Sequence, residues 1–207
     1  IHGNALQIDW ETVVPNSELN YILGNPPFLG KQHQSVQQKA DMANLFTGIT
    51  GAGVLDFVAA WYYKAAKYIN HGKVRCAYVS TNSISQGEQV GILWALLYKY
   101  GLQIQFAHRT FQWSSEGTGA AAVHCVIIGF GTDQVKNKRL FEYENMKGIP
   151  HEFIAGNINA YLVDAPEIVL PNRKEPICVA PSIVFGSMPN DGGNFFAPPH
   201  IAPMKLP

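Results

Sequence analysis

An α/β fold built on an open sheet is predicted by three features of the 207-residue sequence. Apolar runs of strand length alternate with amphipathic runs of helix length. Polar or glycine-bearing connections separate them, and the last two strand-like runs follow one another with no helix between. From Tyr21 to Phe130 the order reads strand, helix, strand, helix, strand, strand. In open α/β sheets ligands gather beyond the carboxyl ends of the strands, so the residues just after each strand are the ones to search.

Residues 1–20 are a polar, proline-containing lead-in, with Ala5-Leu6-Gln7-Ile8 as a short strand or edge segment. Tyr21-Ile22-Leu23 then reads as the end of a short buried strand, and Gly24 as the point where the backbone turns without a side chain in the way. It runs into Asn25-Pro26-Pro27-Phe28. Asn25 and Pro26 each precede a proline, which drives both to extended conformation, and neither proline has an N–H to donate. A bare Pro-Pro reads as a rigid turn. Asn and Phe flanking it give the corner an amide, free carbonyls and a ring side by side, which suits a flat, polar-edged ligand such as a nucleobase.

Residues 31–52 are polar and Gln-rich, with a helical turn expected over 39–46; the segment reads either as a solvated loop or as a flap with Lys31 near a phosphate. Leu55, Val58, Ala59, Tyr62, Ala65, Ala66 and Ile69 are spaced as an amphipathic helix over 54–70. Asp56 falls in its expected first turn, where a carboxylate favours the helix dipole. Gly51-Ala52-Gly53 just before it follows no strand and lacks the Gly-x-Gly-x-x-Gly spacing of a nucleotide loop. Residues 73–80 form the next predicted strand, Thr81-Asn82-Ser83 its polar exit, and 86–100 a second helix. Residues 102–108 alternate like a strand, and 123–130 read as a buried one. Phe111 and Trp113 lie in the connection between these last two, either packed on the sheet or facing a ligand.

Composition narrows the class. At 47% hydrophobic and 14% charged, the chain can bury one sizeable core with a small appendage. Fifteen basic residues balance fifteen acidic ones, so no overall positive field advertises nucleic acid, a mild count against DNA binding unless a basic groove lies elsewhere. Cys76, Cys125 and Cys178 are odd in number and set apart in apolar surroundings, as reduced thiols of a cytoplasmic protein would be. No apolar run reaches membrane-spanning length and no signal peptide is evident, so no membrane partner is expected. His33, His71, His108 and His124 show no metal spacing with the cysteines, and no nucleophile elbow occurs. Because the chain does not begin with Met, it is expected to be an excised piece of something larger.

Asn25-Pro26-Pro27-Phe28 after an apolar strand resembles motif IV of the class I, S-adenosylmethionine-dependent DNA methyltransferases that modify the exocyclic amino group of adenine. Its extension through Gly30-Lys31-Gln32 and Gln38-Lys39-Ala40-Asp41-Met42 is similar to the large type II restriction-modification and phage-defence enzymes of the MmeI kind. The resemblance runs to Phe130. It implies the C-terminal half of a Rossmann-like, doubly wound methyltransferase sheet that ends in an antiparallel hairpin, with an irregular tail. Residues 1–130 would then be a partial catalytic domain, and 131–207 a linker and the start of a target-recognition region.

The resemblance also implies roles. The Asn25 side-chain oxygen and the Pro26 carbonyl would accept the two hydrogens of an adenine amino group, with Pro27 stiffening the corner and Phe28 stacking on the base. Phe111 or Trp113 would supply a second ring for the flipped base. Asn25 and Asp56 would border S-adenosylmethionine. The Phe-x-Gly-x-Gly motif and the ribose-binding acid of the family belong upstream of Asn25 and are not present, and Phe185-Gly186-Ser187 is a poor substitute. The expected partners are therefore double-stranded DNA, a cofactor-binding N-terminal half and a C-terminal target-recognition domain. The fragment alone is expected to be inactive and to bind S-adenosylmethionine weakly or not at all. A non-catalytic interaction module, or a methyltransferase acting on RNA or protein, are the alternatives.

Overall fold

The computed structural model describes residues 2–69, 72–113, 123–171, 173, 178 and 179. The chain divides into two compact units, Ile1–Asn172 and Arg173–Pro207. In the second, the described residues Arg173, Cys178 and Val179 are exposed; every element below belongs to the first.

Six strands form one mixed sheet: β1 (Tyr21–Gly24), β2 (Arg75–Thr81), β3 (Gln103–Trp113), β4 (Val123–Gly131), β5 (Lys138–Glu142) and β6 (His151–Ala155). Their spatial order is β1-β2-β4-β3-β5-β6. β1 and β2 are parallel, with Tyr21 opposite Arg75 and Gly24 opposite Tyr78. β4 then inserts antiparallel between β2 and β3. The sheet is therefore the open α/β sheet that the sequence pattern predicts, with the antiparallel β3–β4 hairpin that the resemblance implies. β5 runs parallel to β3, and β6 antiparallel to β5.

Helices α1 (Val36–Leu45), α2 (Ala59–Ile69) and α3 (Glu88–Tyr98) complete the unit. The core lies between α2, α3 and one face of the sheet, because β2 alternates and sends Cys76, Tyr78 and Ser80 inward. Tyr62 of α2 is its hub. Its ring stacks on Phe130 at 5.2 Å and meets Tyr78 edge-on at 5.2 Å. Its hydroxyl bonds Ser80 Oγ at 2.8 Å, so burial of the ring leaves no orphaned polar atom there. Burial raises the Tyr62 phenol well above the usual tyrosine range and pushes the Cys76 thiol up to about 12, so both stay neutral.

The other sheet face carries Tyr21 and Leu23, 64% and 76% exposed, beside a groove of about 460 Å3 lined by Ala77, Phe106, His108 and Phe141. Phe106 lies flat over Gly129, where a Cβ would come within 2.0 Å of its ring.

Three local expectations change. Gly24 does not turn the chain: it is the last residue of β1, and a side chain there would meet the Tyr78 ring at 3.2 Å. The helix start predicted at residue 54 moves to Ala59, because residues Ala52–Val54 form a 3-10 turn and Leu55 is extended. The sheet continues past Phe130 through β5 and β6. Residues 185–187 lie outside the described residues. The two basic residues that open β5 are taken up by nearby partners. Lys138 is buried and donates to Asn157 Oδ1 at 2.7 Å, while Arg139 forks onto Glu152 at 2.6 and 2.8 Å.

Candidate target-base site

The corner after β1 is displayed as its composition suggests. Asn25 and Pro27 are exposed, Pro26 is buried, and Phe28 is half-buried against the core. Pinning of the corner comes from its far side. Leu29 O accepts from Phe57 N at 3.0 Å and from Gln34 Nε2 at 3.3 Å, and the same amide reaches Leu55 O at 3.2 Å. Gln34 is itself buried, and its amide finds both of its acceptors in these two carbonyls inside the protein. The tetrad is thus fixed between a strand on one side and three hydrogen bonds on the other.

Asp56 stands beside the corner and does not cap α2 with its side chain. Its carbonyl accepts from Ala59 N at 3.0 Å, starting the helix. Its carboxylate crosses instead to the exit of β2, where Oδ2 accepts from Thr81 Oγ1 at 3.0 Å and from Ser83 Oγ. Thr81 and Ser83 bond each other at 2.7 Å, and Gln89 Oε1 accepts from Asp56 N at 2.8 Å. Among the described residues Oδ1 makes no hydrogen bond, and it lies 3.6 Å from where a Cβ on Gly30 would be. The carboxylate is therefore tied to the exit of β2 and keeps its other oxygen near Gly30, just past the corner.

The residues 31–52 form an ordered cover. Ser35 and Gln38 make a reciprocal capping box that starts α1. Asp41, on α1, accepts from Asn4 Nδ2 and Gln7 Nε2 at 2.8 Å each, and from Gln37 Nε2 at 3.2 Å. Burial works to raise this carboxyl, but the three amide donors outweigh it and hold the group below the usual carboxylate range. These bonds fasten the N-terminal lead-in to the cover, and the carbonyls of Leu6 and Ile8, which accept from Lys64 Nζ, fasten it to α2.

Phe111 and Trp113 belong to β3 and not to a connection: Phe111 pairs with Cys125 and Trp113 with Val123. Residues 114–122, which include the rest of the expected loop, lie outside the described residues. β3 runs with its carboxyl end at the same sheet edge as those of β1 and β2, three strand spacings from β1. That is roughly 14 Å, at about 4.8 Å a step. Phe111 stacks on Tyr143 at 5.3 Å and touches Trp113 at 6.2 Å, and Trp113 keeps 40% of its surface exposed. Tyr143 OH in turn bonds His108 Nδ1 at 2.8 Å. Burial and the nearby Arg139 hold His108 below the usual imidazole range, which keeps the ring neutral for that bond near pH 7. Sequence reasoning missed Tyr143 and Gln34, since neither lies in a motif or at a strand end; Thr81 and Ser83 were visible as a polar strand exit but not as Asp56's partners.

The arrangement is one sheet edge with an exposed amide and a proline-locked carbonyl at one end, an aromatic ladder at the other, and a carboxylate between. Residues 1–142 match the family model of the MmeI DNA-methyltransferase domain. The chain is 43% identical over 194 residues to DNA methyltransferase A of Bacillus subtilis strain 168, a match that covers 92% of this chain and 21% of that protein. It is also similar to the solved structure of the type IIL restriction-modification enzyme MmeI in complex with DNA, with a TM-score of 0.90 and 51% identity, over 94% of this chain and 26% of that one. The chain thus spans about a fifth to a quarter of the length of these relatives.

Proposed function

The chain belongs to the MmeI DNA-methyltransferase family, and from that premise we propose that it forms the target-base half of a cytoplasmic, S-adenosylmethionine-dependent enzyme that methylates the exocyclic amino group of adenine in double-stranded DNA within restriction-modification. The observation that carries the reading is the exposed Asn25 beside the rigid Pro26 carbonyl, at a strand's carboxyl end.

Adenine's amino nitrogen is a poor nucleophile because its lone pair is delocalised into the ring. Its two N–H groups donate to Asn25 Oδ1 and Pro26 O. Two preorganised acceptors favour a more tetrahedral nitrogen without a strong base, by the same electrostatic logic as an oxyanion hole with the polarity inverted. Phe28 supports one side of the extruded base. Trp113, backed by Phe111 and Tyr143, offers the more open ring of the aromatic ladder. Extrusion costs a few kcal/mol, and a base-aromatic stack returns about 1–3 kcal/mol.

The residues present fit one side of the cofactor, not a whole site. Asp56 Oδ1, without a hydrogen bond among the described residues, would accept from a donor group of S-adenosylmethionine. When bound, that cofactor supplies an electrophilic methyl carbon on a sulfonium. The remainder of its site, and the reading of target sequence, fall to parts of the protein outside these residues, with 131–207 leading toward the latter.

The test is Asn25→Ala in the full-length protein, with methyl transfer to duplex DNA and the unfolding midpoint measured together. Loss of methyl transfer with an unchanged midpoint is the expected result. Unchanged methylation removes Asn25 from the chemistry, and an unchanged biological role without any methylation favours a non-catalytic interaction module.

A further inference from the structure

A cavity of about 330 Å3 opens between α1 and the Ala52–Val54 turn, next to the corner's exit at Gly30-Lys31. Its lining combines two chemistries. Met42, Phe46 and Leu55 are buried apolar residues at its floor. Lys31 and Lys39 lie on its wall, both exposed, and neither ammonium makes a hydrogen bond or ion pair among the described residues. No carboxylate lines it. The one acid of α1, Asp41, is occupied by the amides of Asn4, Gln7 and Gln37. Gly53 also borders the cavity, and a Cβ there would meet nothing within 4 Å.

Two unpaired cations over an apolar floor match a group that is anionic at one end and rich in C–H at the other. The geometry points to a subsite for one sugar-phosphate unit of a DNA strand, its phosphodiester between Lys31 and Lys39 and its deoxyribose against Met42 and Phe46. This assignment rests on the reading of the chain as the target-side half of a DNA methyltransferase. Such a subsite would hold the strand six residues of chain away from Asn25, and phosphate contacts of this kind set position and carry no sequence information. It also locates a positive contact that the balanced net charge hides.

Methionine-methyl NMR on this chain tests the subsite without needing catalysis. With 13C-labelled methionine methyls, titration with a single-stranded oligonucleotide of ten thymidines is expected to shift Met42, assigned by Met42→Leu. One neutralised phosphate on single-stranded DNA gives a log–log salt slope of about −0.7, so raising salt fourfold should weaken the binding read at Met42 about 2.6-fold. Lys31→Ala with Lys39→Ala should abolish that salt dependence. Gly53→Leu, whose Cβ would meet nothing within 4 Å, should block the shift while the fold is retained. A Met42 signal that does not move, that moves alike in the double-lysine variant, or that responds equally to inorganic phosphate overturns the proposal. Any of these leaves the Asn25 reading standing, since that is judged by methyl transfer.

Discussion

Replacing Gly129 with alanine should destabilise the protein, although alanine is the better strand residue. A Cβ at Gly129 would lie 2.0, 2.2 and 2.7 Å from three atoms of the Phe106 ring. Carbon atoms rest about 3.5–4.0 Å apart, so the ring must retreat by roughly 1.5 Å or the two strands must part. Overpacking of this kind costs about 1–3 kcal/mol. Removing a glycine from a strand returns about 0.5–1 kcal/mol. The expected net loss is about 0.5–2 kcal/mol in urea unfolding, read as a lower midpoint with unchanged slope. The sign should reverse when Phe106→Ala is already present, because the obstacle has gone and only the backbone gain is left. A Gly129→Ala protein as stable as the parent, or one destabilised equally with and without the ring, would refute the account of that sheet face.

Other consequences are open to measurement. The Asp41 carboxyl is held low in the folded state, so its contribution to stability is present above the unfolded carboxylate value and is lost as pH falls below about 4; Asp41→Asn should therefore show a smaller drop in unfolding free energy between pH 5 and pH 2.5 than the parent. Asp56→Asn removes the charge from the bonds to Thr81 and Ser83. It should lower stability by about 1–2 kcal/mol in this half-exposed setting, with Thr81→Val in the same background adding little further. Trp113→Ala in the full-length enzyme should reduce kcat/KM for DNA about 5- to 150-fold, the loss of one base stack, while leaving S-adenosylmethionine affinity within twofold.

The parts of the fold that sequence makes legible are those governed by side-chain periodicity. α2, β2, α3 and β4 lie within a few residues of their apolar patterns, because each buries one face against the same core. The corner at Asn25 was equally plain, since proline chemistry is local. What the sequence hid depends on distant partners. β5 carries three charges in five residues and looks like a surface run until Asn157 and Glu152 take up Lys138 and Arg139. β3 continues through Arg109 and Trp113 because β4 pairs with it beyond a register shift between His108 and Phe111, which blurs the alternation there. Asp56 reads as a helix cap from its position, and only the tertiary fold brings Thr81 and Ser83 within its reach.

The most direct test is the identity of the modified base. DNA from cells expressing the full-length protein, digested to nucleosides and analysed by mass spectrometry, should contain N6-methyladenine, and the same cells carrying Asn25→Ala should lack it at equal protein level. Methylation found on cytosine, or N6-methyladenine undiminished by Asn25→Ala, would contradict an amino group held between the Asn25 oxygen and the Pro26 carbonyl.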